Sequence, residues 1–147
     1  MTVWLTGPAG SGKSTIALAL HNLLGESSCI LDAENLRQGL NVDLSFSADD
    51  RAENVRRLGE VAILFSLLAH RMPIVSAISP YAEGRQAVRE RHTALGLAFI
   101  EVHVATPPYV RRHFTGFSPP YEASESPNLV LNGETPDEAA SKIASLL

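Results

Sequence analysis

The chain has 147 residues, of which 45% are apolar and 19% charged, with a formal net charge of −4. That length suits about one domain around a single core, and the acidic balance argues against a general nucleic-acid or membrane-surface binder. A lone cysteine, Cys29, excludes a disulfide within the chain and suits a reducing cytoplasm, no run reaches the ~20 apolar residues of a membrane span, and a first strand beginning near residue 3 predicts no signal peptide.

Val3–Leu5 reads as the first strand. The run Gly7-Pro8-Ala9-Gly10-Ser11-Gly12-Lys13-Ser14-Thr15 follows it and opens a helix predicted over Lys13–Leu24. This is G-x-x-x-x-G-K-[ST] in the strand–loop–helix setting that its chemistry needs. Glycines let successive N–H groups turn toward one anion, and the helix N-terminus adds its own attraction. Lys13 is placed to reach the outer phosphates of a nucleotide, and the Ser14 hydroxyl to ligate Mg²⁺.

Gly25–Ser27 is a predicted turn, Cys29–Asp32 the second strand, Asn35–Leu40 a short helical turn and Asn41–Ser47 a loop. Asp49–Arg71 is the longest helical pattern, with Val55, Leu58, Val61, Ala62, Phe65 and Leu68 forming one apolar stripe. Ser47 or Asp49 caps it and Met72-Pro73 stops it. Ile74–Ile78 is the third strand. Ser79-Pro80 then opens a helix over Tyr81–Leu95, with serine as cap and proline at the first position. Ala98–Val104 is the fourth strand, Pro107–Pro127 mostly loop and Asn128–Leu131 the fifth strand. Thr135-Pro136-Asp137-Glu138 carries a capping box for a last helix that turns Ala139, Ala140, Ile143 and Leu146 inward.

Strand and helix alternate about five times, which predicts an α/β fold with a parallel sheet and helices on both faces. Ligands bind such sheets beyond the carboxyl ends of the strands. The phosphate loop, Asp32–Arg37, Ser79 and the loop after Val104 all follow strands, so they are expected to meet in one cleft. Asp32 there holds Mg²⁺ through water or takes a proton from an attacking hydroxyl, or else, with Glu34, only caps the short helix at Asn35. Arg37, Arg51, Arg56 and Arg57 are either ligands for a phosphate or sulfate group or a solvated face. Arg51 and Asn54 share one face of their helix. Phe46 either anchors its loop on the core or stacks on a base. His21, His70 and His92 read as surface or edge residues, and no histidine spacing points to zinc.

Over nearly its whole length the chain resembles the adenylyl-sulfate kinase family. The likeness is carried by Trp4–Thr15, by Leu31–Asn41, by Leu44–Arg57, by Ile78-Ser79-Pro80-Tyr81, and by Phe114-Thr115-Gly116-Phe117 with Pro120-Tyr121-Glu122. The resemblance implies a P-loop nucleoside triphosphate hydrolase/nucleotide-kinase fold built on a five-stranded parallel sheet, with residues 1–147 as one domain. It implies transfer of the γ-phosphoryl of ATP, with Mg²⁺, to the ribose 3′-hydroxyl of adenylyl sulfate in sulfate activation. By position, Lys13, Asp32 and Ser79 match catalytic residues, and Ser79 matches a serine that the family carries as phosphoserine. Ser14 and Asp32 match the metal ligands. Glu34, Arg37, Phe46, Arg51, Asn54, Ile78, Ser79 and Phe114 match the acceptor site, with Phe46 and Phe114 as an aromatic pair around its adenine. Small-molecule nucleotides are the implied partners, with no nucleic acid and no membrane, and a homodimer is the implied assembly.

The chain departs from the family at defined points. Asp32-Ala33-Glu34-Asn35 stands for Asp-Gly-Asp-Asn, Ala105 for an aspartate, and Phe117-Ser118 for isoleucine and aspartate. A long basic lid is missing between Thr106-Pro107 and Phe114, which leaves Arg111 and Arg112, or a neighbouring chain, to supply its cations. Two other readings follow from these departures: a kinase for a different small nucleotide-like acceptor, or a nucleotide-binding module without catalysis.

Overall fold

Thr2–Thr6 forms strand β1, and all five residues are buried. Its side chains alternate between two cores, as strand geometry requires. Val3 and Leu5 join Ile16, Leu20, Leu131 and Ile143 on one face of the sheet. Trp4 points to the other, where it meets Leu31, Leu58, Val75, Val88 and Phe99. A strand sealed on both faces belongs at the centre of a sheet covered on each side by helices. The computed structural model, which describes residues 1–105 and 121–147, shows that architecture.

The other elements are α1 (Lys13–Leu24), β2 (Ser28–Asp32), α2 (Ala33–Leu36), α3 (Ala48–Leu64), β3 (Met72–Ser76), α4 (Ala82–Ala94), β4 (Phe99–Val104), β5 (Leu129–Leu131) and α5 (Pro136–Ala144). The five strands lie in the order β2-β3-β1-β4-β5, and every pairing is parallel. The chain after β1 passes to β2 at one edge, and β4 lies on the other side of β1. The end of β1 is therefore a point where the strand order diverges, and a ligand crevice opens there.

Several boundaries differ from the sequence reading. The long helix does not run evenly to Arg71. Phe65–Ala69 widens into a π-type turn, and His70 takes the left-handed conformation (φ 51°) that ends it. The extra residue shifts the phase of the stripe beyond Leu64, which leaves Leu68 75% exposed, while within α3 Ile63 is buried beside Ala62. Pro73 lies inside β3, paired with Cys29, and does not act as the helix stop. The predicted cap of α4 is also displaced. Tyr81 occupies the cap position without a side-chain bond, and the Ala82 N–H donates to Oε1 of Glu122. Leu146 lies beyond the end of α5 and is half-exposed. His92, expected as a surface or edge residue, is fully buried between Thr2 Oγ1 (2.9 Å) and the Val88 carbonyl (2.8 Å). The Thr135 capping box is formed as expected. Among the described residues no helix is long and apolar enough to cross a membrane.

Candidate active site

The phosphate loop hangs between the end of β1 and the start of α1. Gly7 lies so close to β4 that a β-carbon on it would collide with the Val104 carbonyl oxygen. Glycine is thus required there by space alone. Gly10 and Gly12 have φ of 76° and 95°, a region that side-chain-bearing residues rarely adopt. Lys13 folds back over this loop. Its Nζ donates to the Pro8 carbonyl (2.8 Å) and to Ser11 Oγ (3.2 Å), and the residue is only 8% exposed.

Burial pulls the Lys13 pKa down to about 8, although Asp32 and Glu34 draw it the other way. A polyphosphate beside Nζ favours the charged form, so binding recruits a proton wherever the free amine is partly neutral. Nucleoside triphosphate affinity is then expected to be level below pH 8 and to fall as pH rises through 8. Near pH 8, binding should take up a fraction of a proton, read by calorimetry in two buffers of different ionisation heat. Equal heats in both buffers would contradict this.

Asp32 serves two elements at once. Its Oδ1 accepts the Glu34 N–H (2.9 Å) and so caps α2, while its Oδ2 accepts from Ser14 Oγ (2.7 Å). The two sequence readings of Asp32 are therefore compatible, one on each oxygen. Ser76 Oγ lies 3.3 Å from Ser14 Oγ. Hydroxyl and carboxylate oxygens side by side suit Mg²⁺, which takes hard oxygen donors, one or two carboxylates and substrate phosphates. No cluster of three His, Cys, Asp or Glu side chains occurs among the described residues, and Mg²⁺ in this setting does not require one.

Across the opening, α2, α3 and the loop between them form a second wall. Phe46 is 69% exposed. The guanidinium carbon of Arg37 stands 4.4 Å from its ring centroid and that of Arg51 6.0 Å. Arg37 also donates to the Leu44 and Ser45 carbonyls, each at 3.2 Å. Its pKa is lowered, first by burial and then by the charge of Arg51, against the pull of Asp50. Two crowded cations of this kind are relieved by an arriving anion. Asn54, on the same helical face as Arg51, is buried, and its Oδ1 accepts from Nδ2 of the fully buried Asn41 (2.9 Å).

The remaining arginines of the group do other work. Arg57 clasps Asp43 through two bonds (2.8 and 3.0 Å) and also donates to Glu53 and the Leu40 carbonyl. Arg56 pairs with Glu53 on the surface. Asp50 holds the N–H and hydroxyl of Ser45. The loop carrying Phe46 is thus stapled to the start of α3. Asn41 was not singled out from the sequence, because nothing in its spacing shows that it will be buried against Asn54. Replacing Asn41 by alanine is expected to cost about 1–3 kcal/mol of stability by stranding a buried amide, measured by urea unfolding.

One cavity of about 530 Å³ is lined by both walls: Gly12, Lys13, Ser14 and Asp32 on one side, and Arg37, Phe46, Arg51 and Asn54 on the other, with Glu34, Ile78 and Ser79 also on its surface. Gly7, Pro8 and Ser11 of the phosphate loop are not part of its lining. Ser79 borders the cavity, but its hydroxyl turns into the core. Oγ accepts from Trp4 Nε1 (3.0 Å) and donates to Thr6 Oγ1 (2.9 Å). Phe114, with Arg111 and Arg112, lies outside the described residues.

Residues 1–113 match the family model described as adenylylsulphate kinase. The chain belongs to the adenylyl-sulfate kinase family. It is 43% identical to the adenylyl-sulfate kinase of Saccharomyces cerevisiae, over 99% of this chain and 83% of that one. It is 41% identical to the bifunctional enzyme CysN/CysC of Mycobacterium tuberculosis, over 99% of this chain but 27% of that protein, so it spans about a quarter of that relative's length. The structure of the Mycobacterium tuberculosis APS kinase CysC, in complex with AMPPNP and APS, superposes with a TM-score of 0.88 at 40% identity, covering 99% of this chain and 95% of that one. The five-stranded parallel sheet and its P-loop kinase fold are therefore those of the adenylyl-sulfate kinases. The alignment with the yeast member of the family runs over 168 positions against 147 residues here, so at least 21 of them have no residue in this chain.

Proposed function

We propose that residues 1–147 work as one kinase domain that transfers the γ-phosphoryl of ATP to the ribose 3′-hydroxyl of adenylyl sulfate, giving 3′-phosphoadenylyl sulfate and ADP. One observation carries the reading: a single cavity has a phosphate loop on one wall and an arginine–phenylalanine–asparagine set on the other. Phosphoryl transfer is mainly positioning and charge stabilisation, and these two walls offer both.

The amides of residues 7–15 and the start of α1 cradle the triphosphate. Lys13 exchanges the Pro8 carbonyl for the outer phosphates and there offsets charge that grows during transfer. Ser14 and Asp32 would hold Mg²⁺, which would supply further charge neutralisation. On the facing wall, Arg37 and Arg51 hold the anionic end of the acceptor, Phe46 stacks on its adenine, and Asn54 is presented by Asn41. Asp32 and Glu34 are the two carboxylates on the cavity surface that can take the acceptor's proton. The inward-facing Ser79 hydroxyl supports direct in-line transfer without a phosphoseryl step.

An assay coupling ADP release to adenylyl sulfate addition tests this. Turnover in the wild type and none above background in Lys13→Ala is the expected pattern, and its absence in both rejects the reading. A second reading, a different small nucleotide-like acceptor, is favoured by Ala33 and Glu34, which line the cavity where the family carries glycine and aspartate. A thermal-shift panel of nucleotides separates the two, since the tightest ligand gives the largest shift. A cytoplasmic setting and a homodimer belong to the same proposal, and sedimentation checks the latter.

A further inference from the structure

Ser79 is one of two residues other than glycine with positive φ among the described residues, at 44°. A side chain in that left-handed region is disfavoured by roughly 1–2 kcal/mol, so its surroundings must hold it there. The holding group is Arg85, which is 1% exposed and spends all three guanidinium nitrogens. Nη1 donates to the Ser79 carbonyl (2.6 Å), Nη2 to the Glu122 carbonyl (2.6 Å), and Nε to Glu101 Oε1 (3.2 Å). Its guanidinium carbon lies 5.1 Å from the Tyr121 ring centroid. Tyr121 in turn bonds Thr6 Oγ1 (3.0 Å), the acceptor of the Ser79 hydroxyl. The Glu122 N–H donates to the Pro80 carbonyl (2.8 Å). One buried cation thus fastens the Ser79–Pro80 turn to β4 and to Tyr121-Glu122, and that turn forms part of the cavity wall.

We infer that Arg85 is a positioning residue for the acceptor side of the site, acting through the Ser79 peptide and not by touching a nucleotide. The inference rests on the proposed reaction. A buried arginine that only stabilised the fold would need the Glu101 pair, which Arg89 already shares at 2.9 Å. The bonds to two main-chain carbonyls are what set the shape of the turn. Lysine keeps the charge beside Glu101 but cannot reproduce the planar fork. Glutamine at 101 removes the ion pair but leaves the fork on Ser79 and Glu122.

The test measures KM for adenylyl sulfate, KM for ATP and kcat in wild type, Arg85→Lys and Glu101→Gln, with thermal melts of each. Arg85→Lys is expected to raise KM for adenylyl sulfate about tenfold or more, the loss of one charge-assisted bond, with KM for ATP held within about twofold. Glu101→Gln is expected to lower the melting temperature and leave both KM values near wild type. Unchanged kinetics in a folded Arg85→Lys protein, equal rises in both KM values, or the same kinetic defect in Glu101→Gln would overturn the inference alone. Absence of turnover in the wild type would overturn the proposed reaction and this inference with it. Should Arg85→Lys fail to fold, ¹⁵N-arginine-labelled wild type carries the test. Its Arg85 Nε–H resonance, identified by its displacement in Glu101→Gln and its persistence in Arg89→Lys, is expected to shift with adenylyl sulfate and not with ADP. A resonance that ignores adenylyl sulfate, or follows both nucleotides alike, overturns the inference.

Discussion

Lys13→Ala is expected to lower kcat about 10³-fold, the effect of deleting one preorganised charge partner from a transition state, while the melting temperature stays level or rises. The second half of the expectation follows from where the amine sits. Lys13 is buried with two neutral oxygens as partners, and its pKa is depressed to about 8. Folding therefore disfavours its charged form. Against an unfolded value near 10.5, that penalty is absent at high pH, grows as pH falls from 10.5 to 8, and is complete below 8. Removing the side chain removes the penalty. The wild type should then gain stability relative to Lys13→Ala as pH rises from 7 toward 10, read from paired melts. A variant that loses both activity and stability at neutral pH would mean that Lys13 serves the fold and not the phosphates.

Phe46→Ala has the second-largest expected effect, and it decides between the two readings that the sequence left open. An aromatic that anchors a loop is buried by it. Phe46 is 69% exposed and carries Arg37 on its face. Its removal should therefore leave stability within about 0.5 kcal/mol, as for surface positions generally. Loss of base stacking is instead expected to cost about 1–3 kcal/mol of acceptor binding, a rise in KM for adenylyl sulfate of roughly 5- to 150-fold. KM for ATP should not move, because the phosphate loop lies on the opposite wall. A stability loss of several kcal/mol with unchanged KM would return Phe46 to the role of a loop anchor.

The parts of this molecule that were legible in its sequence are those governed by local rules. The phosphate loop, the α1 span and the Thr135 capping box depend on residues within a few positions of one another, and each stands where the pattern put it. The convergence of the phosphate loop, Asp32, Arg37 and Ser79 on one cavity followed from topology, since each follows a strand's carboxyl end, whereas Phe46, Arg51 and Asn54 were placed there only by the family resemblance. What was hidden depends on distant partners. The start of α4 is capped by Glu122, 40 residues away. The Arg85–Glu101 pair joins a helix to a strand, and neither residue carries a signal of burial. His92 looked polar and peripheral until Thr2 was laid against it. The stripe on α3 lost its phase at the π-type turn, a backbone choice that no side-chain period announces.

The two ends of the stretch 106–120 are tied down independently. Ala105 donates to the Leu131 carbonyl (2.9 Å) at the edge of the sheet, while Glu122 is fixed to the Pro80 carbonyl and to Arg85. Neither tie uses a residue of 106–120, so the sheet edge at Ala105 and the head of α4 beside Glu122 each keep their own anchor whatever sequence stands between them.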